Sequence, residues 1–234
     1  MAGVFYGVGV GPGDPELLTV KAIRMIQQAD VIIAPKTEKK DESTALTIAR
    51  PFLKAEAKIV KLVFPMVFDG ATLSAAWENN KNIILELLAA GKKVVFLTLG
   101  DPMFYSTYIY IFHLLENCGY PVETVAGVPA FCAMASKLGY PLAEGNDTLS
   151  VIPATLAEDQ LDRVLATSDN VVLMKVYKNC KRIIETLKRH GLAANAVMVS
   201  RCGLEDEQVV RDINEIGDEP INYLSTILAR RNKA

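Results

Sequence analysis

The chain has 234 residues, half of them hydrophobic, with 25 lysines and arginines against 27 aspartates and glutamates, a formal charge of −2. This is long and apolar enough for one large domain or two small ones with a sizeable core, and the near balance of charge excludes a global basic field for nucleic acid. Cys118, Cys132, Cys180 and Cys202 are widely separated, with no CxxC and only two histidines in the chain, so neither a disulfide framework nor a protein-held metal site is expected, and the thiols read as reduced and cytoplasmic.

The first strand is predicted over 4–10, with no basic stretch ahead of it and hence no signal peptide expected. A helix over 15–28 follows, then strand 31–34, helix 44–53, strand 59–63, helix 73–90, strand 94–99 and helix 105–117. Continuous apolar strands alternating with amphipathic helices imply a parallel sheet covered on both faces, with ligands at the carboxyl ends of the strands. Gly119, Pro121, Gly127 and Pro129 then punctuate the pattern, which sets the expected division into domains over 1–120 and 121–234. The second half reads as helix 130–138, strand 149–152, helix 158–166, strand 171–176, helix 181–189 and strands 197–201, 208–212 and 223–229. Its last three strands follow one another on short connections, so this sheet is expected to be mixed. The expected fold class is α/β: two α/β domains, the first with a parallel and the second with a mixed sheet, and a cleft between them. Nowhere is there a run of the roughly 18 apolar residues that a membrane span requires.

The segment GVGVGPGDPELLT (7–19) places four glycines and two prolines where the first strand hands over to a helix. Glycines let a ligand approach the main chain, and Pro12 and Pro15 stiffen the turn while removing two amide donors. The spacing does not fit a dinucleotide loop, because the third required glycine falls on Pro12 or Asp14. Asp14 reads as a helix cap with Pro15 at the first helical position. A second cluster, LTLGDPMFYST (97–107), repeats the arrangement with Asp101 and Pro102, and a third, AGVPAF (126–131), opens the second domain. Three glycine-bearing loops thus offer backbone groups with no Ser/His/Asp set, paired acids or metal ligands beside them, which points to a bound cofactor that brings its own reactivity.

Together, and in this order, the three motifs resemble the GxGPGDPxLLT, xGDPxxxS and GVxxx loops of the tetrapyrrole (corrin and porphyrin) methylase family. The resemblance covers the whole chain. Further segments, FPM (64–66), YSTYIY (105–110), LMKVYKN (173–179) and YLS (223–225), are similar to those members that methylate C20 of precorrin-2 or of its cobalt-bearing counterpart in cobalamin biosynthesis. The resemblance implies S-adenosylmethionine held between the domains, a tetrapyrrole substrate, a homodimer and no protein-bound metal. Family contacts to the cofactor carry over onto Pro12, onto Leu99, Gly100, Asp101 and Phe104, and onto Pro129 and Ala130. Met174, Gly203 and Leu204 match positions lining the adenosine, and Tyr223 and Leu224 match the contribution of the final strand. The sulfonium is already an activated methyl donor, so the protein's task is to align donor and carbon nucleophile and to exclude water. Asp101 offers an acceptor for the amino acid portion or a charge near the sulfonium. Relatives that methylate uroporphyrinogen carry an acid after the second strand; here the segment is Ala34, Pro35, Lys36, so no general base carries over and no catalytic residue is assigned.

A macrocycle bearing eight carboxylate arms needs positive charge. Lys36, Lys39 and Lys40 in one loop, and Lys175, Lys178 and Arg201 in the second domain, are the residues expected to supply it, against the ordinary reading of lysines as a solvated face. Trp77 reads as core or dimer contact, and His113 and His190 as helix residues, the latter a C-terminal cap before Gly191. Tyr105, Tyr108 and Tyr110 either line a flat pocket or pack the sheet. Two other functions remain open at this level: a methyltransferase of the same fold acting on another acceptor, and a non-catalytic tetrapyrrole sensor, in which erosion of the cofactor loops would be tolerated.

Overall fold

Five runs rich in β-branched residues form the first sheet: β1 (Val4–Gly9), β2 (Val31–Lys36), β3 (Lys58–Val63), β4 (Lys93–Thr98) and β5 (Val122–Val125). They are connected by α1 (Val20–Gln28), α2 (Thr44–Ala49), α3 (Gly70–Ala89) and α4 (Tyr108–Leu115). The computed structural model describes residues 2–36, 43–64, 70–217 and 219–231, without the side chains of 70–75. All neighbours in this sheet are parallel, in the order β3-β2-β4-β1-β5. From β1 the chain departs toward β2, whereas from β4 it crosses β1 to reach β5. The adjacent carboxyl ends of β1 and β4 therefore send their loops in opposite directions, which makes a topological switch point where α/β sheets bind ligands.

Side chains alternate across the sheet. Phe5, Val31, Ile33, Val94 and Phe96 pack with Ile84 and Leu88 of α3 and with Tyr108, Ile111 and Leu115 of α4. Their neighbours Ile32, Val95 and Leu97, pointing the other way, are equally buried, and α1 and α2 lie against these strands. Burial of each such side chain contributes about 2 kcal/mol. The Tyr108 ring lies where Gly7 lacks a side chain: a Cβ there would sit 2.1 Å from the ring, and the phenol reaches across β1 to Thr124 Oγ1 at 2.8 Å. Gly7 therefore serves packing, and Tyr108 packs the sheet. Tyr110 is largely exposed, against Trp77 with ring centroids 5.1 Å apart, and Trp77 in turn meets Phe64 at 5.1 Å.

The second compact unit, Ala130–Ala234, follows the first, Met1–Pro129. It contains α5 (Ala130–Leu138), β6 (Leu149–Pro153), α6 (Glu158–Thr167), β7 (Asn170–Met174), α7 (Cys180–Arg189), β8 (Val197–Ser200), β9 (Gln208–Val210) and β10 (Ser225–Arg230). The strand order is β6-β7-β10-β8-β9, with β6 and β7 parallel and the rest antiparallel, a mixed sheet. Leu161, Leu165, Leu173, Ile183, Leu187 and Ile227 are at the centre of its core.

Where the structure departs from the sequence reading, local chemistry gives the reason. The division between units falls after Pro129, not at 120, because β5, unread in the sequence, pairs with β1 from Phe5↔Val122 to Val8↔Val125. The AGVPAF cluster accordingly lies almost wholly in the first unit. The helix expected over 15–28 is two pieces: Asp14 caps a 3-10 turn, Pro15–Leu17, by accepting from Glu16 N, and Thr19 then caps α1 by accepting from Ala22 N. Helix α4 starts at Tyr108 because Tyr105 has φ of 49° and Ser106 Oγ accepts from Tyr108 N. Strand β9 stops at Val210 since Asp212 caps the turn Ile213–Glu215.

The end of the chain locks the second unit. Arg231 donates to Ser168 O at 2.9 Å and to the carbonyls of Leu165, Ala166 and His190, so one guanidinium satisfies the carboxyl ends of α6 and α7. Replacing it by methionine, R231M, leaves those carbonyls without a charged donor, and we expect a loss of about 3 kcal/mol, read as a lower urea midpoint. Thr148 N and Oγ1 both donate to Asp169 Oδ2 at 2.8 Å, tying the starts of β6 and β7. These bonds, the backbone one foremost, hold the Asp169 carboxyl below its ordinary range. A depressed carboxylate stabilises the fold above the unfolded value of about 3.9 and ceases to as pH falls through the folded one. The stability difference between wild type and D169N is thus expected in full at neutral pH and to shrink below about pH 4, checked by denaturant titrations across that range.

Candidate functional site

At the carboxyl ends of β1, β4 and β5 three main chains come closer than side chains permit. A Cβ on Gly9 would lie 2.6 Å from both Gly100 O and Gly127 Cα, and one on Gly127 only 2.1 Å from Gly100 O. Gly11 and Gly100, with φ of 74° and 71°, exchange backbone bonds: Gly100 N donates to Gly11 O at 2.8 Å and Gly11 N to Gly100 O at 3.3 Å. Left-handed φ at both positions is what glycine alone adopts without strain.

Asp101 stitches the junction from the side. Its Oδ1 accepts from Met103 N at 2.8 Å, turning its own loop, and its Oδ2 accepts from Gly127 N at 3.0 Å. One carboxylate thus fixes the loop after β4 on the loop after β5. Each oxygen keeps a further lone pair, so the charge remains available to a ligand. Thr19 adds a contact to Ala126 O at 3.4 Å from Oγ1. Around this junction stand buried Pro12 and Gly100 and half-buried Leu99, Asp101 and Phe104, whose ring meets Tyr105 at 4.8 Å, with Pro129 at the end of the unit. All the cofactor residues expected in the first three loops except Ala130, the first residue of α5, thus belong to one unit and to adjacent strand ends. Lys36 closes β2, its carbonyl accepting from Phe64 N at 2.9 Å. Lys39, Lys40, Pro65 and Met66 lie outside the described residues.

The remaining expected residues gather at one end of the second sheet, where β7 and β8 end and β10 begins. Met174 pairs with Thr226. Beyond it Val176 N donates to Ser225 O at 3.1 Å, and Arg201 N donates to Leu224 O at 2.9 Å. Lys175 and Arg201 both adopt left-handed φ, 61° and 55°, which turns the chain abruptly at the two strand ends. Ser200 Oγ and Ser225 Oγ meet at 2.6 Å beneath them. Tyr223 packs edge-on against Tyr177, centroids 5.0 Å apart, and Lys178 Nζ sits 5.3 Å over the Tyr177 ring. Gly203 and Leu204 lie in the tight turn after Arg201, whose guanidinium is paired with Asp206. The sequence pattern assigns no role to Tyr177, Asp206 or Glu207; of these only Tyr177 lies inside a motif segment, LMKVYKN. Among the described residues no group of three or more His, Cys, Asp or Glu side chains is placed to hold a metal ion, and no helix is long and apolar enough to cross a membrane.

A parallel sheet with a glycine-lined switch point, followed in the chain by a mixed sheet whose strand ends carry aromatic and cationic residues, places the protein in the α/β class whose ligand sites form at the carboxyl ends of strands. The family model of Tetrapyrrole (Corrin/Porphyrin) Methylases matches residues 4–216, and the chain belongs to that family. It is 38% identical over 234 residues, 99% of this chain and 98% of the relative, to cobalt-precorrin-2 C(20)-methyltransferase of Salmonella typhimurium. It is 35% identical to precorrin-2 C(20)-methyltransferase of a Sinorhizobium species, across 97% and 94% of the two chains. Among solved structures, uroporphyrin-III C-methyl transferase from Thermus thermophilus complexed with S-adenyl homocysteine shares the fold, with TM-score 0.70, 23% identity and coverage of 97% and 96%.

The glycine junction makes a direct expectation. Because the atoms facing Gly127 are backbone, G127A has no flexible neighbour to displace, and it is expected to cost at least about 2 kcal/mol in urea titration. Gly217→Ala, with nothing within 4 Å of its Cβ, serves as the near-neutral control.

Proposed function

We propose that this protein transfers the methyl group of S-adenosylmethionine to C20 of precorrin-2 or of cobalt-precorrin-2, in cobalamin biosynthesis. The observation that carries the reading is near full-length similarity to relatives of that activity at 35–38% identity, joined to intact glycine loops converging at one switch point. A sensor without catalysis has no need to preserve that junction, and the relatives at 35–38% identity are methyltransferases of precorrin-2.

The site fits the cofactor by its chemistry. The Gly9, Gly100 and Gly127 junction leaves main chain uncovered, and a Cβ on Gly100 itself would have no neighbour closer than 4.0 Å, so a flat or elongated ligand can approach Gly100 closely. Bound there, S-adenosylmethionine supplies a methyl group already activated by its sulfonium. This chain's residues then have three tasks. Pro12, Leu99, Gly100, Phe104, Pro129 and Ala130 shape the slot and keep water out, Asp101 presents its carboxylate to the cationic cofactor while holding Gly127, and Met174, Gly203, Leu204, Tyr223 and Leu224 complete the adenosine side. Lys36, Lys175, Lys178 and Arg201 are the proposed partners of the substrate's carboxylate arms. No residue is assigned as acceptor of the C20 proton. The same reading carries a homodimer, on the pattern that the family resemblance implies, working in the cytoplasm.

The test is an incubation of purified protein with S-adenosylmethionine and either precorrin-2 or cobalt-precorrin-2. One added methyl by mass, located at C20 by NMR, is expected; transfer to another carbon overturns the regiospecificity, and no transfer to either acceptor overturns the function. In parallel, D101A is expected to weaken S-adenosylhomocysteine binding at least tenfold, about 1.4 kcal/mol, by calorimetry, since both the charge and the tie to Gly127 are lost.

A further inference from the structure

The turn after β8 contains a carboxylate that the proposed function leaves unused. Glu207 Oε2 accepts from Gly203 N at 2.6 Å, and its other oxygen meets Lys137 Nζ of α5 at 2.6 Å. The Glu207 side chain is only 11% exposed, Lys137 57%. The rest of the turn is closed by backbone: Leu204 N donates to Arg201 O at 3.0 Å and Glu207 N to Leu204 O at 3.1 Å. Gly203 has φ of 76° and Arg201 55°, so two consecutive bends out of the ordinary basin must be held in place. Burial disfavours charge on Glu207, yet the Gly203 amide and the Lys137 ammonium outweigh it and keep the carboxyl below its ordinary range. Cys202, between the two bends, is buried with its thiol pushed up to about 11, chiefly by burial, and so acts as an apolar filler.

We infer that Glu207, braced by Lys137, is a positioning residue for the cofactor: it fixes the Gly203 turn in its binding shape by occupying the Gly203 amide. The inference rests on the proposed reading of Gly203 and Leu204 as adenosine contacts. One consequence is specific. With the Gly203 N–H committed to a carboxylate, this residue meets the nucleoside through its carbonyl and its bare Cα, not as a hydrogen-bond donor. A second is energetic. The turn is ordered before the ligand arrives, so binding does not have to supply the entropy of ordering it.

The experiment measures S-adenosylhomocysteine binding by calorimetry in wild type, E207A, E207Q and K137M, with Glu205→Gln on the exposed side of the same turn as control. Each variant is also labelled with 15N-glycine, and the Gly203 amide, bonded to a carboxylate, is followed by NMR. E207A is expected to weaken binding about tenfold, roughly 1.4 kcal/mol, and to lose the downfield shift of the Gly203 amide. E207Q keeps an acceptor for that amide but not the ion pair, as K137M keeps the carboxylate without its brace, so both fall between. They also keep the comparison decisive should E207A fold poorly. E205Q is expected to match wild type. Equal affinities in wild type and all three variants, with only the melting temperature lowered, would reduce Glu207 to a structural role and overturn the inference. Absence of any uptake by the wild type would instead overturn the cofactor reading, and this inference with it.

Discussion

Backbone against backbone at the ends of β1, β4 and β5 is the contact on which the first unit's site depends. With Gly100 O as near as 2.1 Å to where a Gly127 side chain would begin, the three loops interlock through atoms that no rotamer can move. The strand order makes this possible, since β1 lies between β4 and β5 and its carboxyl end faces both neighbours at once. Asp101 then converts a close approach into a fixed one by accepting from amides on two loops. The price of such packing is that few side chains remain for chemistry, which suits a reaction whose electrophile arrives already activated.

The second unit adds a further means. Besides glycine bends such as Gly203, it turns at Lys175, Asn179 and Arg201, residues with side chains in the left-handed basin, at roughly 1–2 kcal/mol each. Backbone bonds to the start of β10, from Val176 N to Ser225 O and from Arg201 N to Leu224 O, offset that strain at Lys175 and Arg201 by tying those two bends to the neighbouring strand. What glycine could not give is thereby retained: a cationic side chain at the very point where the strand turns. Strained non-glycine residues concentrate where a side chain must be placed precisely at a site, and two of the four such residues in the described chain are the cations expected to meet substrate.

Much of this was legible in the residues. Apolar runs gave every strand but β5, and the β5 residues Val-Glu-Thr-Val escaped because a four-residue edge strand flanked by Pro121 and Gly127 reads as loop punctuation. Its absence displaced the expected domain division and hid the fact that the third glycine loop joins the first two in one sheet. The motifs point to Gly100, Asp101 and Pro129, but they also take in Gly7, which serves the Tyr108 ring, a long-range contact that no local spacing encodes. Glu207 and Asp206 carry no signal for the same reason: their roles are defined by Gly203, Lys137 and Arg201, and single acids in a turn have no pattern of their own.

The pairing of Arg201 with Asp206 bears on how an acid-rich substrate is to be recognised by a chain of net charge −2. On the proposed reading, a substrate carboxylate meeting Arg201 exchanges one carboxylate partner for another. The Coulomb gain of the new pair is then largely cancelled by loss of the old, so this contact contributes orientation and selectivity more than affinity. Lys178 differs: its ammonium lies over the face of Tyr177, a weaker interaction than an ion pair. On that same proposed reading, residues held as Lys178 is are the better placed to add affinity for the charged arms, and Arg201, paired with Asp206, the better placed to orient them.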